Sequence, residues 1–431
     1  MSSHQYTGPV DDLRGPASFP PAAPDTAARD DGRIESIDVL RGFALLGILI
    51  VNIQAFAMPE AAYFNPTAYG DLHGANFAVW LATHLLAQEK FMTIFSMLFG
   101  AGIVLMASGR EAAGRRPAAA HYRRTAALLV FGLVHAYCLW YGDILVSYAL
   151  CATAAYLFRR LRPAWLLTIG LTLLALGSGL SLASGMSIGY WPAEAVESLA
   201  ADFSPPPQVT LRELEIYRGG WLAQMEHRAP ASFYFETYVF VFWTVWRVLG
   251  LILVGMGLFK VGVFSAQRSG RFYTALVAAG ALVGLPVVAR GVARNFAEDW
   301  DAAYVMFFGS QYNYWGSILV SLGWVGAVML VCQSGAASAR VTRPLAAVGR
   351  LALSNYLLQT LLCTFIFYGH GLGLFGRVQR VGQLLIVLAV WALQLALSPL
   401  WLRRFRMGPA EWLWRLLTNL EPPPMRRHAV A

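Results

Sequence analysis

Residues 39–57 read VLRGFALLGILIVNIQAFA, apolar throughout except for Arg41, Asn52 and Gln54. A helix needs about 20 mostly apolar residues to cross the hydrocarbon core of a bilayer. Arg33 and Arg41 stand at the N-terminal end of the run, and Arg and Lys collect on the cytoplasmic side of a membrane. The stretch therefore reads as an uncleaved signal anchor with its N-terminus inside. The rest of the chain agrees: of 431 residues, 57% are hydrophobic and 13% charged. Soluble domains carry about 25% charged residues, so a soluble globular class, a disordered class and a disulfide framework are all excluded. The net charge is +9, but 31 of the 33 basic residues are Arg in short clusters. That pattern reports membrane topology rather than nucleic-acid binding.

Working outward, apolar segments near 39–57, 92–108, 125–141, 143–158, 163–185, 233–259, 272–289, 313–333, 351–372 and 382–402 predict about ten transmembrane helices. The fold class is thus an all-α polytopic membrane protein. Residues 77–88, FAVWLATHLLAQ, are apolar but too short to span and predict a re-entrant or interfacial helix. Loops 109–124, 159–162, 260–271 and 334–350 hold 14 basic residues, against 5 in loops 58–91, 290–311 and 373–380. That bias puts both termini in the cytoplasm.

Residues 1–32, rich in Pro, Ala and Asp, read as a disordered cytoplasmic tail. Residues 33–420 form one transmembrane helical domain, with 187–231 as an extracytoplasmic loop whose amphipathic piece LRELEIYRGGWLAQMEHR suits a small helix over the outer mouth. RRFRMGPAEWLWRLLTNL after the last span predicts a C-terminal interfacial helix, with Pro409 at its start and Trp412 and Trp414 at headgroup level. Residues 421–431 read as a second disordered cytoplasmic tail. Cys138, Cys151, Cys332 and Cys363 lie in apolar runs without CxxC spacing and read as packing residues. Nothing in the sequence suggests a fixed metal or a redox cofactor.

Charged residues inside spans are costly and mark interior or functional positions. Asp38 and Arg41, three apart, share a helix face: they form an anion site, with Arg41 gripping phosphate, or an intrahelical pair with a positive-inside anchor. Asn52 is either a substrate-orienting amide or helix glue. Gly100 and Gly102 suit close helix packing. Lys90, beside Glu89 and shortly after His84, snorkels to the interface or lines a cavity. His135 is a general-base candidate, with Asp143 on the same tight hairpin to orient it or to cap the next helix. Glu236 and Arg247 can share a face but not touch, and Arg247 requires a partner the sequence does not name. Asn355 and Gln359 face one way, as glue or cavity wall.

Arg41-Gly42-Phe43-Ala44-Leu45-Leu46-Gly47-Ile48 with Asn52, the Lys90-Phe91 to Gly102 block, His135 with Tyr141-Gly142-Asp143, Leu353 to Gln359 and Gly408 to Arg415 resemble, in order, the YeiB-like bacterial membrane proteins, whose C-terminal half is a domain of unknown function numbered 418. The resemblance runs from about Ile34 to Leu420. The N-terminal part is more remotely similar to the transmembrane acyltransferase superfamily, which includes the lysosomal heparan-α-glucosaminide N-acetyltransferase. The resemblance implies a bacterial inner membrane protein in which cytosolic acyl-CoA serves as co-substrate, held through Arg41 and Asp38. It implies acyl transfer to an extracytoplasmic hydroxyl or amine acceptor in an outer cavity lined by Asn52, His84, Lys90, His135 and Asp143. His73, His84 and His135 are the candidate bases, and Asn52 or Lys90 the oxyanion donor. Two alternatives stand beside it: a small-solute transporter, with Arg247, Glu236 and His135 along the pathway, and a non-catalytic membrane partner of an envelope enzyme.

Overall fold

The computed structural model describes residues 34–427; the expected tail at 1–32 and the last four residues of the second tail lie outside them. Among the described residues there is no β-strand beyond an isolated bridge between Phe405 and Arg426. The helices are α1 (Glu35–Ala57), α2 (Gly74–Leu86), α3 (Lys90–Ala112), α4 (Pro117–Val134), α5 (Leu145–Ala155), α6 (Pro163–Ser187), α7 (Ala193–Phe203) and α8 (Pro207–Arg218). They continue with α9 (Met225–Lys260), α10 (Gly270–Ala297), α11 (Tyr304–Gln333), α12 (Gly335–Arg350), α13 (Ala352–Phe367), α14 (Arg380–Arg404) and α15 (Pro409–Asn419).

Seven helical runs among the described residues are long and apolar enough to cross a membrane, or eight if α12 and α13, bent by 83°, make one broken span. This corrects the expected ten. Helices occupy all ten expected places, but two fail on length or composition. Leu145–Phe158 is a shorter apolar helix; at 1.5 Å per residue it reaches about 20 Å, short of the ~30 Å core. The helix at 125–141 begins at Pro117 and carries His121, Arg123 and Arg124 in its first turns, which dilute its apolar run. The segment at 77–88 falls in α2, a helix of 13 residues, about 20 Å long and short of the hydrocarbon core. It leads into α3, and the two together make an apolar run of 39 residues. Its α2 and α3 parts are broken at Glu89, which sits in the left-handed region at φ 66°.

The helices cross where glycine permits it. A Cβ on Gly349 of α12 would stand 1.9 Å from the Asp38 carbonyl oxygen of α1, and one on Gly42 2.0 Å from that of Leu345. Gly100 of α3 meets the Ile252 carbonyl of α9 in the same way, whereas Gly102 faces open space and packs against nothing. Small residues are the means by which membrane helices bring backbones together.

Loops gather at two ends. At one, near Arg41, Ser36 donates to the Phe264 carbonyl, Lys260 to those of Arg159 and Leu161, and Arg110 to Asn419. Here α15 packs on α4: Arg124 stacks 4.4 Å over Trp414, whose indole donates to the Arg124 carbonyl. Glu411 accepts from the Leu353 and Ser354 amides at the start of α13, a carboxylate at a helix N-terminus. Residues 421–427 run back along Arg404–Arg406 through two backbone hydrogen bonds. At the other end, near Asn52, α8 packs over the chain that follows α13 and that which follows α1: Gly369 N–H donates to the Tyr217 carbonyl, Arg218 to that of Phe375, and the Glu60 amide to Glu213.

Candidate functional site

Two buried polar networks and one cationic pocket account for most of the residues singled out above. The first is on the α4–α5 hairpin. The last turn of α4 widens into a π-helical turn at His135–Leu139, a local irregularity frequent at functional sites. This places the His135 ring inward, 1% exposed. Asp143 follows in the turn and does two things at once. Its Oδ2 accepts the Val146 N–H and so caps α5, and its Oδ1 lies 2.8 Å from His135 Nδ1. With the Nδ1 proton donated to Asp143, the Nε2 lone pair is left to accept from the Thr360 hydroxyl of α13, 2.9 Å away. Tyr356, one turn before Thr360, packs its ring 4.9 Å from the imidazole, and Trp140 packs at 6.3 Å. The Tyr356 hydroxyl proton and the Trp140 N–H are buried without a hydrogen-bond acceptor. An oriented imidazole, an adjacent hydroxyl and two uncommitted donors make a general-base arrangement with places for a reacting group's oxygens.

The second network is centred on Lys90 and Arg247, both fully buried. Lys90 Nζ donates to the His84 carbonyl at 2.7 Å and to Asn313 Oδ1 at 2.5 Å. Arg247 Nη2 stands 2.8 Å from Glu89 Oε2 and 2.7 Å from Ser317 Oγ, while Nη1 donates to the Tyr314 carbonyl. Glu89 is therefore the partner that Arg247 required. The left-handed break at Glu89 swings its carboxylate toward α9, which spacing along the sequence does not reveal. Glu236 instead accepts from Tyr137. The His84 ring turns back on its own segment, 2.8 Å from Gln88 and 5.6 Å from the Trp80 ring.

The structure thus does not gather Asn52, His84, Lys90, His135 and Asp143 into one cavity. The two networks share no side chain. Asn52 makes no hydrogen bond in either, although its neighbour Phe56 stacks on Trp140 at 4.0 Å. His73 lies on the surface, paired to Asp71. Asn355 and Gln359 are buried and bond to Ser398 and Gln394 of α14.

Arg41 pairs with Asp38 at 2.8 Å at the other end of α1, within electrostatic reach of Arg124. Arg124 closes a small pocket whose remaining lining includes Phe99, Ile103, Met106, Leu128 and Trp414.

A further acid cluster lies beneath α8. Glu213 is buried and accepts the Glu60 amide at 2.9 Å; Glu60 in turn lies 3.7 Å from His227, whose other ring nitrogen is 3.0 Å from the Tyr217 hydroxyl. Burial, then the nearby Asp202, raises the Glu60 carboxyl to about 7. Burial raises Glu213 to about 8 against the lowering effect of that backbone amide. No sequence signal marked these two residues: they lie far apart in the chain in polar stretches. Thr360 and Tyr356 were missed for a related reason, since only the rotation of α13 turns them toward His135.

Fold and networks together define an all-helical, polytopic membrane protein with ionisable side chains buried in its bundle. The family described as a protein of unknown function (DUF418) matches residues 258–421. The chain is 32% identical over 390 residues to the uncharacterised protein YeiB of Escherichia coli K12, covering 89% of this chain and 95% of that protein. It is 31% identical over 421 residues to the uncharacterised protein YxaH of Bacillus subtilis 168, covering 92% and 96%. The chain therefore belongs to the YeiB-like family.

Proposed function

We propose that the protein is a transmembrane acyltransferase that passes an acyl group from cytosolic acyl-CoA to an extracytoplasmic hydroxyl or amine. The observation that carries this reading is the Asp143–His135–Thr360 chain. His135 Nε2 takes the acceptor's proton as its oxygen or nitrogen attacks the acyl carbonyl. Asp143 stabilises the resulting imidazolium, the thioester C–S bond breaks, and the CoA thiolate leaves with that proton. Thr360 Oγ1, 2.9 Å from Nε2, occupies the place the acceptor group takes. The Asn52 amide, the Tyr356 hydroxyl and the Trp140 N–H are the available oxyanion donors; Lys90 is committed to His84 and Asn313. Arg41 and Arg124 hold the CoA phosphates, and the apolar cavity beside Trp414 takes the acyl-pantetheine arm. The protein sits in the bacterial inner membrane with both termini in the cytoplasm.

The test is the thermal stability of purified protein with acetyl-CoA and longer acyl-CoAs, since a ligand of the native state raises the melting point with concentration. A saturable rise lost in Arg41→Ala, with CoA release abolished in folded His135→Ala, is expected. No rise with any acyl-CoA overturns the reading. It would leave solute transport, which the Glu89 break and the 83° bend between α12 and α13 favour, because broken helices are a feature of transporter binding sites.

A further inference from the structure

The residues that open α14 are built differently from anything the acyl-transfer reading uses. Arg380, the first residue of α14, is 2% exposed. Its guanidinium donates to three backbone carbonyls, those of Asp71, Pro66 and Tyr69, at 2.8, 3.0 and 3.3 Å. None of these is a carboxylate. A guanidinium has five N–H groups, and its Nε–H is buried with no partner. The nearest carboxylate, Asp71, lies at the surface with its oxygens occupied by His73 and Asn76. A helix N-terminus also favours negative charge, and here a cation stands on it. The local field is therefore positive, offset in part by Asp71.

Arg380 lines a narrow cleft between α1, α2 and α14. Gln54 and Gln383 are polar on its wall; Ile50, Ile53, Val79, Leu384 and Val387 are apolar. Each glutamine spends its amide N–H on a backbone carbonyl, Gln54 on Ala62 and Gln383 on Val378, which holds both side chains in place. From Arg380 to Val387 the wall descends about two helical turns. The outer face of α14 exposes Leu385, Leu388, Leu393, Leu397 and Leu400, so the cleft lies beside a face suited to lipid.

We propose that this cleft binds a phosphate-headed lipid, its phosphate against Arg380 and the start of α14, its chain along Ile50, Ile53, Val79, Leu384 and Val387. The buried cation recognises the phosphate, whether it is carried on a lipid or free. The apolar wall and the lipid-facing position of α14 select the lipid. The site does not depend on the acyl-transfer reading.

The experiment measures the melting temperature of the full chain in detergent with dioleoylphosphatidic acid, dioleoylglycerol or inorganic phosphate. Phosphatidic acid should give a saturable rise, dioleoylglycerol none, and phosphate at most a small one. Arg380→Gln should weaken the phosphatidic acid response at least tenfold in apparent affinity. Because Arg380 also holds the loop at 66–71, Leu384→Trp is the second variant: it fills the cleft, leaves every Arg380 contact intact and should abolish the response. The proposal is overturned by no response to phosphatidic acid, by an equal response to dioleoylglycerol, or by a response that survives both variants. A response to inorganic phosphate as large as that to the lipid overturns the lipid assignment in favour of a free anion.

Discussion

Asp143 has two oxygens and gives each a separate task, and this allows a sharp test at the scale of one residue. In Asp143→Asn the amide oxygen can still accept from Val146 N–H and keep the α5 cap. The amide nitrogen then faces His135 Nδ1 as a donor. The imidazole must turn its lone pair to Nδ1 and its proton to Nε2, the wrong tautomer for a base. Under the acyl-transfer reading the turnover rate should fall by about 10²–10⁴, the usual worth of general-base catalysis, with the melting temperature little changed. A rate near wild type in folded Asp143→Asn would remove the dyad from the mechanism. Hairpin proximity made the His135–Asp143 pair readable from the sequence. The groups beyond it were not: Thr360 is brought in by the rotation of a helix more than two hundred residues away, and nothing in a single sequence specifies that rotation. Lys90 was readable as a cation in need of company, and its company, Asn313, was hidden for the same reason.

At the scale of the element, α8 is held to the bundle by a carboxylate that ionises only with difficulty. Burial raises the Glu213 carboxyl to about 8 and the Glu60 carboxyl to about 7, both from an ordinary value of 4.5. The folded state therefore binds more protons than the unfolded one between these limits. The stabilisation these groups supply is fully present below about pH 4.5 and is lost as pH rises through 7 to 8. The groups facing them are His227, Asp202, Tyr217 and Tyr141; no Lys or Arg among these offsets the two acids. Hydrogen exchange of the amides in residues 207–218 should accelerate more between pH 6 and pH 9 than base catalysis of exchange alone requires. The excess should shrink in Glu213→Gln, which keeps an acceptor for the Glu60 amide without a charge. An undiminished excess in that variant would place the pH sensitivity elsewhere. The amphipathic character of this stretch marked it as a helix over the mouth of the bundle. Its acid latch was invisible, because Glu60 belongs to the turn after α1.

At the scale of the whole molecule, the bias of Arg between loops is the feature that the structure turns into geometry. The loops expected inside meet one another at the Arg41 end, through contacts such as Ser36 with Phe264, Lys260 with Arg159 and Gln333 with Arg268. The loops expected outside meet at the Asn52 end, through Gly376 with Ala57 and Asn65 with Phe203. A bundle whose basic loops share one end should insert with that end in the cytoplasm. The proposed donor site depends on this, because Arg41 and Arg124 meet cytosolic acyl-CoA only in that orientation. Exposed Ala337 lies at the first end and exposed Ala200 in the segment at the second. In a background with Cys138 and Cys332 replaced by Ser, Ala200→Cys should react with an impermeant maleimide on intact cells. Ala337→Cys should react only once the membrane is opened. The reverse pattern would place Arg41 outside and remove cytosolic acyl-CoA as its ligand. It would leave the Arg380 cleft intact but move it to the inner leaflet, since a phosphate-headed lipid is available on both sides.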